Sequence, residues 1–328
     1  MNNWLKLEDK EQLEIIQAAA AEMGLPQYVV EKDLWVTFCL GEVFSLEAAG
    51  AMIFKGGTSL SKGWNIIERF SEDIDLAIDR EFLGFSGDLS RTQVNKLRKA
   101  AQAYVSDSLF KELKDRMGDT VDIVLQETNI SDQDPFKVFV NYKNLTEHTV
   151  YVKPTVTLEI GGRSLREPFT ELKIQSLIAK QYADREFVDP PVTIPTVTVE
   201  RTFLEKLFLL HENFKRPADK INVERLSRHL YDIYKISATE YASNAIKDKK
   251  LFKSIVTHRE SFTPLAGVDY TSHYPPNLNP IPPDELLKDW EKDYSTMQLE
   301  MIQGESPSFG DLIKGVKKVT DDINVQTF

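Results

Sequence analysis

The stretch "FKGGTSLSKGWNIIERFSEDIDLAID", residues 54–79, joins a glycine pair to a run of acidic residues. Its last part alternates, so that three apolar side chains fall on one face of a strand and Asp73, Asp75 and Asp79 fall on the other. Glu72, Asp73 and Asp75 repel one another. A strand that carries such repulsion usually faces something positive, and the sequence therefore predicts a cation-binding site here.

Asp73 and Asp75 aim two carboxylates at one small volume, because same-face residues of a strand lie roughly 6.5–7 Å apart. Carboxylate oxygens suit Mg²⁺, or Mn²⁺, which proteins hold with one or two carboxylates and substrate phosphates. Two such ions can clamp an in-line phosphoryl displacement. Glu159, on the polar face of a strand predicted over 155–160, is the expected third ligand.

The glycine pair supplies the complementary half of such a site. Glycines let backbone approach a phosphate closely, and the N–H groups at the start of a helix favour an anion. Thr58 is expected to cap a helix over 59–69. The candidate nucleotide contacts are the turn and the polar side chains around it: Lys55, Gly56, Gly57, Thr58, Ser59 and Lys62.

Each feature alone has an ordinary explanation, since acidic residues on a strand are most often solvated and a G-G-T triplet is usually a turn with a helix cap. Their joint occurrence at this spacing indicates a nucleotidyltransferase. A P-loop is excluded, because no G-x-x-x-x-G-K-[ST] is present. No G-x-S-x-G supports serine hydrolysis either.

Composition narrows the class of protein further. The 328 residues carry a net charge of −11, which argues against binding of nucleic acid over the whole surface but leaves room for a local basic groove. The single cysteine, Cys39, excludes a disulfide framework and a thiolate zinc site. No apolar run of eighteen residues and no signal peptide are present, so we expect a cytoplasmic protein without a membrane segment.

The order of elements predicts an α+β domain over 1–195 and a mainly helical domain over 196–328. Helices are predicted over 9–23 and 26–44, followed by strand, helix and further strands. The segment "DPPVTIPTVTVE", 189–200, is interpreted as a connector because of its prolines. The pattern beyond it is helical, with a loop over about 262–283.

These residues resemble a known family. "FKGGTSLSKGW" followed by "RFSEDIDL" is similar to the opening motif of the AbiEii/AbiGii nucleotidyltransferase toxins of bacterial toxin–antitoxin and abortive-infection systems. Further family-like segments follow the order of the chain: "VVEKDLWVT" from Val29, "LEIGGRSLREP" from Leu158, "FLEKLFLL" from Phe203, "RHLYDIY" from Arg228 and "DYSTMQLEMI" from Asp293. Within the first of these, Glu31–Asp33 are interpreted as a solvated helix face, and the resemblance leaves a minor role in the site open for them.

The resemblance implies a fold similar to DNA polymerase β-type nucleotidyltransferases, a mixed sheet with flanking helices. It assigns Gly57 and Thr58 to the glycine–hydroxyl pair and Asp73 and Asp75 to the metal. It also assigns catalytic roles to two residues of the helical domain, Lys206 and Asp232. His229 departs from the pattern, because many relatives carry an acidic residue there.

The residues themselves leave alternatives open at Lys206, Asp232, Arg163 and Arg166. Lys206 lies on a half-apolar helix face, where a lysine either snorkels to water or meets a phosphate. Asp232 follows Arg228 by four residues, so it either pairs with that arginine or serves the active site. Arg163 and Arg166 either meet phosphates or form surface ion pairs.

The function that follows is a Mg²⁺-dependent nucleotidyltransferase that moves NMP from an NTP to an acceptor hydroxyl. The resemblance implies a toxin with an antitoxin partner and an RNA acceptor, with the 3′ end of tRNA as its specific form. A protein acceptor is the alternative that the acidic net charge leaves open. Two alternatives remain: nucleotidylation of a small molecule such as an antibiotic, and a non-catalytic module that acts by binding a partner.

Overall fold

A computed structural model describes residues 3–147, 153–302 and 304–327 of the chain. The chain forms two compact units, one of Met1–Gly63 with Phe70–Thr196 and one of Trp64–Arg69 with Val197–Phe328. The short segment Trp64–Arg69 therefore belongs to the second unit, although in the sequence it lies inside the predicted first domain.

The first unit is built on a seven-stranded mixed sheet, which confirms the predicted α+β class. The strands are β1 (Met52–Lys55), β2 (Asp73–Ile78), β3 (Asp122–Leu125), β4 (Phe136–Asn141), β5 (Thr155–Gly161), β6 (Phe169–Ile174) and β7 (Val192–Val197). Their order is β3-β4-β5-β2-β1-β7-β6. β2 is parallel to β5 and antiparallel to β1, while β4 is antiparallel to both of its neighbours.

Helices flank this sheet. They are α1 (Asp9–Met23), α2 (Gln27–Val43), α3 (Gly56–Thr58), α4 (Arg91–Tyr104), α5 (Phe110–Met117) and α6 (Leu177–Gln181), with π-helical turns at Ser59–Gly63 and Val105–Leu109. The apolar face of the sheet and one side of α2 and α5 form the core of the unit. α1 and α2 have nearly the predicted bounds, because their apolar residues repeat at helical spacing.

The helix predicted over 59–69 is wrong beyond Gly63. The chain leaves the helix there, and Trp64 donates its indole N–H to the carbonyl oxygen of Val197 at 3.0 Å. A Cβ at position 63 would lie 3.1 Å from the Leu172 side chain, so glycine allows a close approach at this exit. Tertiary contacts of the following segment thus outweigh a helical spacing that looked regular in sequence.

The connector predicted over 189–200 is also wrong, because β7 occupies half of it and the next helix begins at Val199. β7 is parallel to β1, with Thr196 opposite Phe54, and both residues are fully buried. The prolines around this segment concealed the strand in the sequence.

The second unit is helical. Its helices are α7 (Val199–Phe214), α8 (Ser227–Ser237), α9 (Glu240–Lys247), α10 (Lys249–Phe262), α11 (Leu287–Glu300) and α12 (Phe309–Asn324). Short 3-10 helices of the chain lie at Trp4–Lys6, Glu47–Ala51, Ala218–Lys220, Tyr270–His273 and Asp284–Leu286. Within the ranges that the structure describes, no helix is long and apolar enough to cross a bilayer.

Candidate active site

The acidic face of β2 carries the predicted metal ligands. Asp73 and Asp75 are half-buried, whereas Ile74 and Leu76 between and beyond them are fully buried, so the two carboxylates share the open face of the strand. Asp75 lies opposite Glu159 in the parallel pairing of β2 with β5. Residues directly opposite in a sheet share a face, and the structure therefore brings all three predicted carboxylates to one side of the sheet.

Gly56 lies against this face. Its φ of 81° falls in the left-handed region, and a Cβ at this position would be 1.9 Å from Oδ2 of Asp75. Only glycine therefore fits beside the Asp75 carboxylate. The glycine pair and the acidic strand, which are separate motifs in the sequence, form one local structure.

The hydroxyl groups of Thr58 and Ser59, which follow the glycines, form hydrogen bonds within the protein. Thr58 Oγ1 donates to the carbonyl oxygen of Asp73 at 2.5 Å and lies 2.9 Å from Ser71 Oγ. Ser59 Oγ donates to the carbonyl oxygen of Gly56 at 2.8 Å. Thr58 is the last residue of α3, and Lys55 holds the N-cap position, so the prediction that Thr58 caps the helix is wrong. Thr58 instead ties the glycine turn to the strand that carries the acidic pair.

Lysines flank the carboxylates at both ends of one register row. Lys55 lies opposite Asp75, and Lys137 lies opposite Glu159, with 2.5 Å between Lys137 Nζ and Glu159 Oε1. Lys137 was missed in the sequence, because only the pairing of β4 with β5 places it beside Glu159. The row carries charges in the order positive, negative, negative, positive.

The carboxylates of this face suit a hard cation whose coordination shell is completed by substrate. No group of three or more His, Cys, Asp or Glu side chains is arranged to hold a metal among residues 3–147, 153–302 and 304–327. Glu159 is engaged by Lys137, and Asp73 and Asp75 are neighbouring carboxylates on the open face of β2. Two carboxylates with substrate phosphates are the usual set for Mg²⁺, and the assignment of Glu159 as a ligand stays a prediction.

A buried lysine, Lys32, offsets the repulsion between the acidic side chains at the start of β2. Lys32 is fully buried, and its ammonium donates to Glu72 at 3.1 Å and to the backbone carbonyl oxygens of Lys153 and Thr155 at 2.8 and 2.5 Å. Burial lowers the pKa of Lys32, while the charges of Glu72 and Asp73 act in the opposite direction. Glu72 is therefore paired inside the protein, and the acidic run is less repulsive than its sequence indicates.

The solvated helix face predicted for Glu31–Asp33 is wrong, because all three side chains hold distant segments. Glu31 accepts hydrogen bonds from the backbone N–H groups of Leu145 and Thr146 at 2.7 and 3.2 Å. Asp33 pairs with Lys62 at 2.5 Å. The ammonium of Lys62, a predicted phosphate contact, thus has a carboxylate partner in the structure, and burial lowers the pKa of Lys62.

In the second unit, Lys206 and Asp232 are brought together. Lys206 Nζ lies 2.9 Å from Asp232 Oδ2 and 3.4 Å from Nδ1 of His229. Arg69 binds both oxygens of Asp232, at 2.7 Å each. Asp232 is fully buried and Lys206 is 6% exposed. The alternative in which Asp232 pairs with Arg228 is not what the structure shows.

The pKa values of this cluster shift for identifiable reasons. Burial alone raises the pKa of Asp232, but the charges of Arg69 and Lys206 outweigh it and hold the pKa below its usual range. Burial lowers the pKa of Lys206, and Arg69 adds to that effect. Burial and the charges of Lys206 and Arg228 keep the pKa of His229 well below its usual value. His229 is therefore neutral near pH 7.

The remaining candidate phosphate contacts form ion pairs within the first unit. Arg163 Nε lies 2.5 Å from Asp134 Oδ2, and that side chain also donates to the Asp134 carbonyl oxygen. Arg166 lies 3.3 Å from Asp79 and donates to the carbonyl oxygen of Gly50 at 2.8 Å. Of the two alternatives posed for these arginines, the structure shows the ion pairs.

Comparison with solved structures returns seven matching chains. One is the nucleotidyltransferase toxin MenT4 of Mycobacterium tuberculosis H37Rv, with a TM-score of 0.54 and 15% sequence identity over 95% of this chain and 90% of that one. At this identity the similarity shows the fold alone. A comparison with curated proteins returned no match.

The family comparison supports a more specific conclusion than the structural comparison does. Residues 44–315 match the model of the nucleotidyl transferase AbiEii toxins of type IV toxin–antitoxin systems. The match covers well over half of the chain and contains both the acidic strand and the Lys206–Asp232 cluster. The chain belongs to the AbiEii family of nucleotidyltransferase toxins.

Proposed function

We propose that this toxin transfers NMP from an NTP to an acceptor hydroxyl of RNA, with Mg²⁺ or Mn²⁺ held by Asp73 and Asp75. The observation that carries the proposal is the contact of Gly56 with Asp75. A backbone that phosphate can approach and a carboxylate that a cation can bind lie side by side, since position 56 has no room for a Cβ.

Asp73 and Asp75 are the residues that would hold the cation, with Glu159 as the predicted third carboxylate. When bound, a divalent ion neutralises phosphate charge and polarises the phosphorus centre. The carboxylates meet the chemical requirement, because they offer hard oxygen donors on the open face of one strand.

The protein's own groups then bind and orient the nucleotide. The backbone of Gly56 and Gly57 approaches the triphosphate, and Lys55 adds positive charge on the same face as Asp75. The acceptor oxygen forms a bond to the α-phosphorus, the bond from that phosphorus to the bridging oxygen breaks, and pyrophosphate leaves. The proton of the acceptor hydroxyl passes to a carboxylate, for which Glu159 is the candidate.

In the second unit, we assign Lys206 to a phosphate contact and Asp232 to holding Lys206. Lys206, Arg69 and Arg228 carry three positive charges against the single carboxylate of Asp232, and His229 is neutral. Positive side chains therefore outnumber carboxylates among these residues, which favours an anion beside Lys206. Asp232 engages Arg69 and Lys206 directly, so its role is one of positioning.

The choice of acceptor is supported by the family resemblance and by no feature of the site. Our proposal is RNA, with the 3′ end of tRNA as its specific form, and the compartment is the cytoplasm, where NTP and tRNA meet. The type IV toxin–antitoxin family implies an antitoxin as partner.

The test is an incorporation assay with each α-labelled NTP, Mg²⁺, total RNA and cell protein. We expect label in RNA with the wild type and none with Asp73→Asn, which keeps the size of the side chain but removes the charge that a hard cation needs. Asp79→Asn is the matched control, because Asp79 directly follows the same strand and pairs with Arg166.

The distribution of label decides between the acceptors. Label in the protein pool, or in an added antibiotic, overturns the RNA proposal and leaves the nucleotidyltransferase assignment intact. Expression in bacteria gives the matching test of toxicity, in which Asp73→Asn is expected to relieve growth inhibition. Equal inhibition by wild type and Asp73→Asn at equal abundance indicates a module that acts by binding a partner.

A further inference from the structure

The row across the sheet continues past the acidic strand to Lys137. Lys55, Asp75, Glu159 and Lys137 are register partners on the four adjacent strands β1, β2, β5 and β4. Lys137 Nζ lies 2.5 Å from Glu159 Oε1, and the side chains are 36% and 20% exposed. The ion pair is therefore placed on the face that carries Asp73 and Asp75, and it is open to solvent.

Two carboxylates in this row are direct neighbours. Side chains opposite each other on adjacent strands have Cβ atoms roughly 5 Å apart, so Asp75 and Glu159 repel when both are ionised. Lys137 offsets this repulsion by engaging Glu159 from the side away from Asp75. A cation that binds beside Asp75 relieves the same repulsion, and Lys137 holds one Glu159 oxygen that such a cation would need.

We propose that Lys137 is a positioning residue that holds the Glu159 carboxylate in the metal-free protein and competes with the divalent cation for it. The inference rests on the proposed function and deepens it, because it assigns a residue that sets the cation affinity of the site. Lys137 lies on β4, outside the glycine turn and the acidic strand.

The first experiment measures Mn²⁺ binding directly, by the EPR signal of free Mn²⁺ during titration of the nucleotide-free protein. Lys137→Met removes the competing ammonium and a positive charge near the cation, so we expect binding that is roughly threefold to tenfold tighter. Lys137→Arg restores a cation beside Glu159 and is expected to bind Mn²⁺ as the wild type does.

Lys143→Met provides the control for loss of one lysine charge. Lys143 forms an exposed ion pair with Asp9 in the same unit, and both side chains are more than half exposed. The variant makes the same chemical change at a solvated pair, so its Mn²⁺ affinity is expected to equal that of the wild type.

The second experiment repeats the titration in a Glu159→Gln background. If Lys137 acts through Glu159, the effect of Lys137→Met shrinks by most of its size once the carboxylate is gone. An effect of the same size in both backgrounds contradicts competition for Glu159 and indicates only a long-range charge effect.

Failure of this inference is distinguishable from failure of the proposed function. Asp73→Asn is expected to abolish Mn²⁺ binding, and a wild type that binds no Mn²⁺, or an Asp73→Asn variant that binds it normally, overturns the metal site itself. Only the role of Lys137 is overturned if Asp73→Asn loses Mn²⁺ binding as expected but Lys137→Met binds Mn²⁺ as the wild type does, or more weakly. The Mn²⁺ concentration for half-maximal transfer is the parallel functional readout, and it is expected to fall with Lys137→Met.

Discussion

The two units hold their carboxylates in opposite ways. In the first unit, Asp75 is half-buried and lies opposite a second carboxylate, Glu159. In the second, Asp232 is fully buried and bound by Arg69 and Lys206. In the first arrangement two carboxylates of like charge face each other, and Lys137 offsets part of their repulsion. The second is satisfied by the protein itself, so it supports structure and sets the position of Lys206.

The sharpest test of this contrast is Asp232→Asn, for which we expect a loss of about 3–5 kcal/mol in the free energy of unfolding. The change leaves the buried charges of Arg69 and Lys206 without their carboxylate. Chemical denaturation measures the loss, and Asp311→Asn is the control, because Asp311 forms an exposed pair with Lys314 in the same unit. A loss within 0.5 kcal/mol of that control would falsify the structural role of Asp232.

The same variant has a pH signature. The pKa of Asp232 is lowered in the folded protein, so its contribution to stability is present above the unfolded pKa of about 3.9 and is lost as the pH falls from there through the lower pKa of the folded protein. The wild type is expected to lose this contribution on acidification, whereas Asp232→Asn has none to lose. The two stabilities should therefore converge towards low pH.

For the first unit, Gly56→Ala is expected to reduce transfer by roughly a hundredfold. The new Cβ displaces the Asp75 carboxylate, and misplacement of a reacting group by about 1 Å costs on that order. Gly84→Ala is the matched control, because Gly84 has a similar φ of 85° and no atom within 4 Å of the added Cβ. Both variants should lose about 1–2 kcal/mol of stability from the left-handed backbone. Equal activity of the two contradicts the proposed site.

Lys206→Met tests whether Lys206 contributes to nucleotide binding or only to the stability of the second unit. We expect NTP affinity to fall about tenfold or more, since a hydrogen bond to a charged group contributes roughly 1.5–3 kcal/mol. Stability should change less than in Asp232→Asn, because Arg69 still binds both oxygens of Asp232. Calorimetric titration measures the affinity, with Lys235→Met as the control for loss of a lysine from a partly exposed pair with Glu68. Undiminished affinity means that Lys206 does not contact nucleotide.

Sequence reasoning succeeded where the determining pattern is local. The alternation of β2 gave the shared face of Asp73 and Asp75, because the period of a strand is fixed by its backbone. The bounds of α1 were predicted to the residue for a similar reason. The α+β class followed from the order of such elements.

Sequence reasoning failed to predict buried charged side chains whose partners lie far along the chain. Lys32 meets Glu72 across 40 residues, and Glu31 meets Thr146 across 115. Charged residues on a helix are mostly exposed, so nothing near them in the sequence indicates burial. Lys137 escaped notice for the same reason, because its partner Glu159 is set by strand pairing and not by spacing.

The smallest expected effect concerns His229, whose neutral imidazole contacts Lys206 in the second unit. The pKa of His229 is well below its usual value because of burial and the charges of Lys206 and Arg228. Below pH ~6.5 this histidine is therefore protonated in the unfolded chain but not in the folded protein. The free energy of unfolding then falls by about 1.4 kcal/mol per pH unit for each such histidine. His211, whose pKa burial lowers to about 3, contributes a second step of the same sign.

His229→Asn keeps an acceptor near Nδ1 and cannot titrate, so its denaturation curves between pH 6 and pH 5 should show the shallower loss, by roughly 1.4 kcal/mol per pH unit. His211→Asn is the matched variant and should remove a similar share, which tests whether the two sites add. NTP affinity of His229→Asn should stay at the wild-type level near pH 7, because His229 is neutral there. If His229→Asn loses stability between pH 6 and pH 5 as steeply as the wild type does, the imidazole is protonated in the folded protein, and the positive charge assigned to the cluster around Lys206 is then too low.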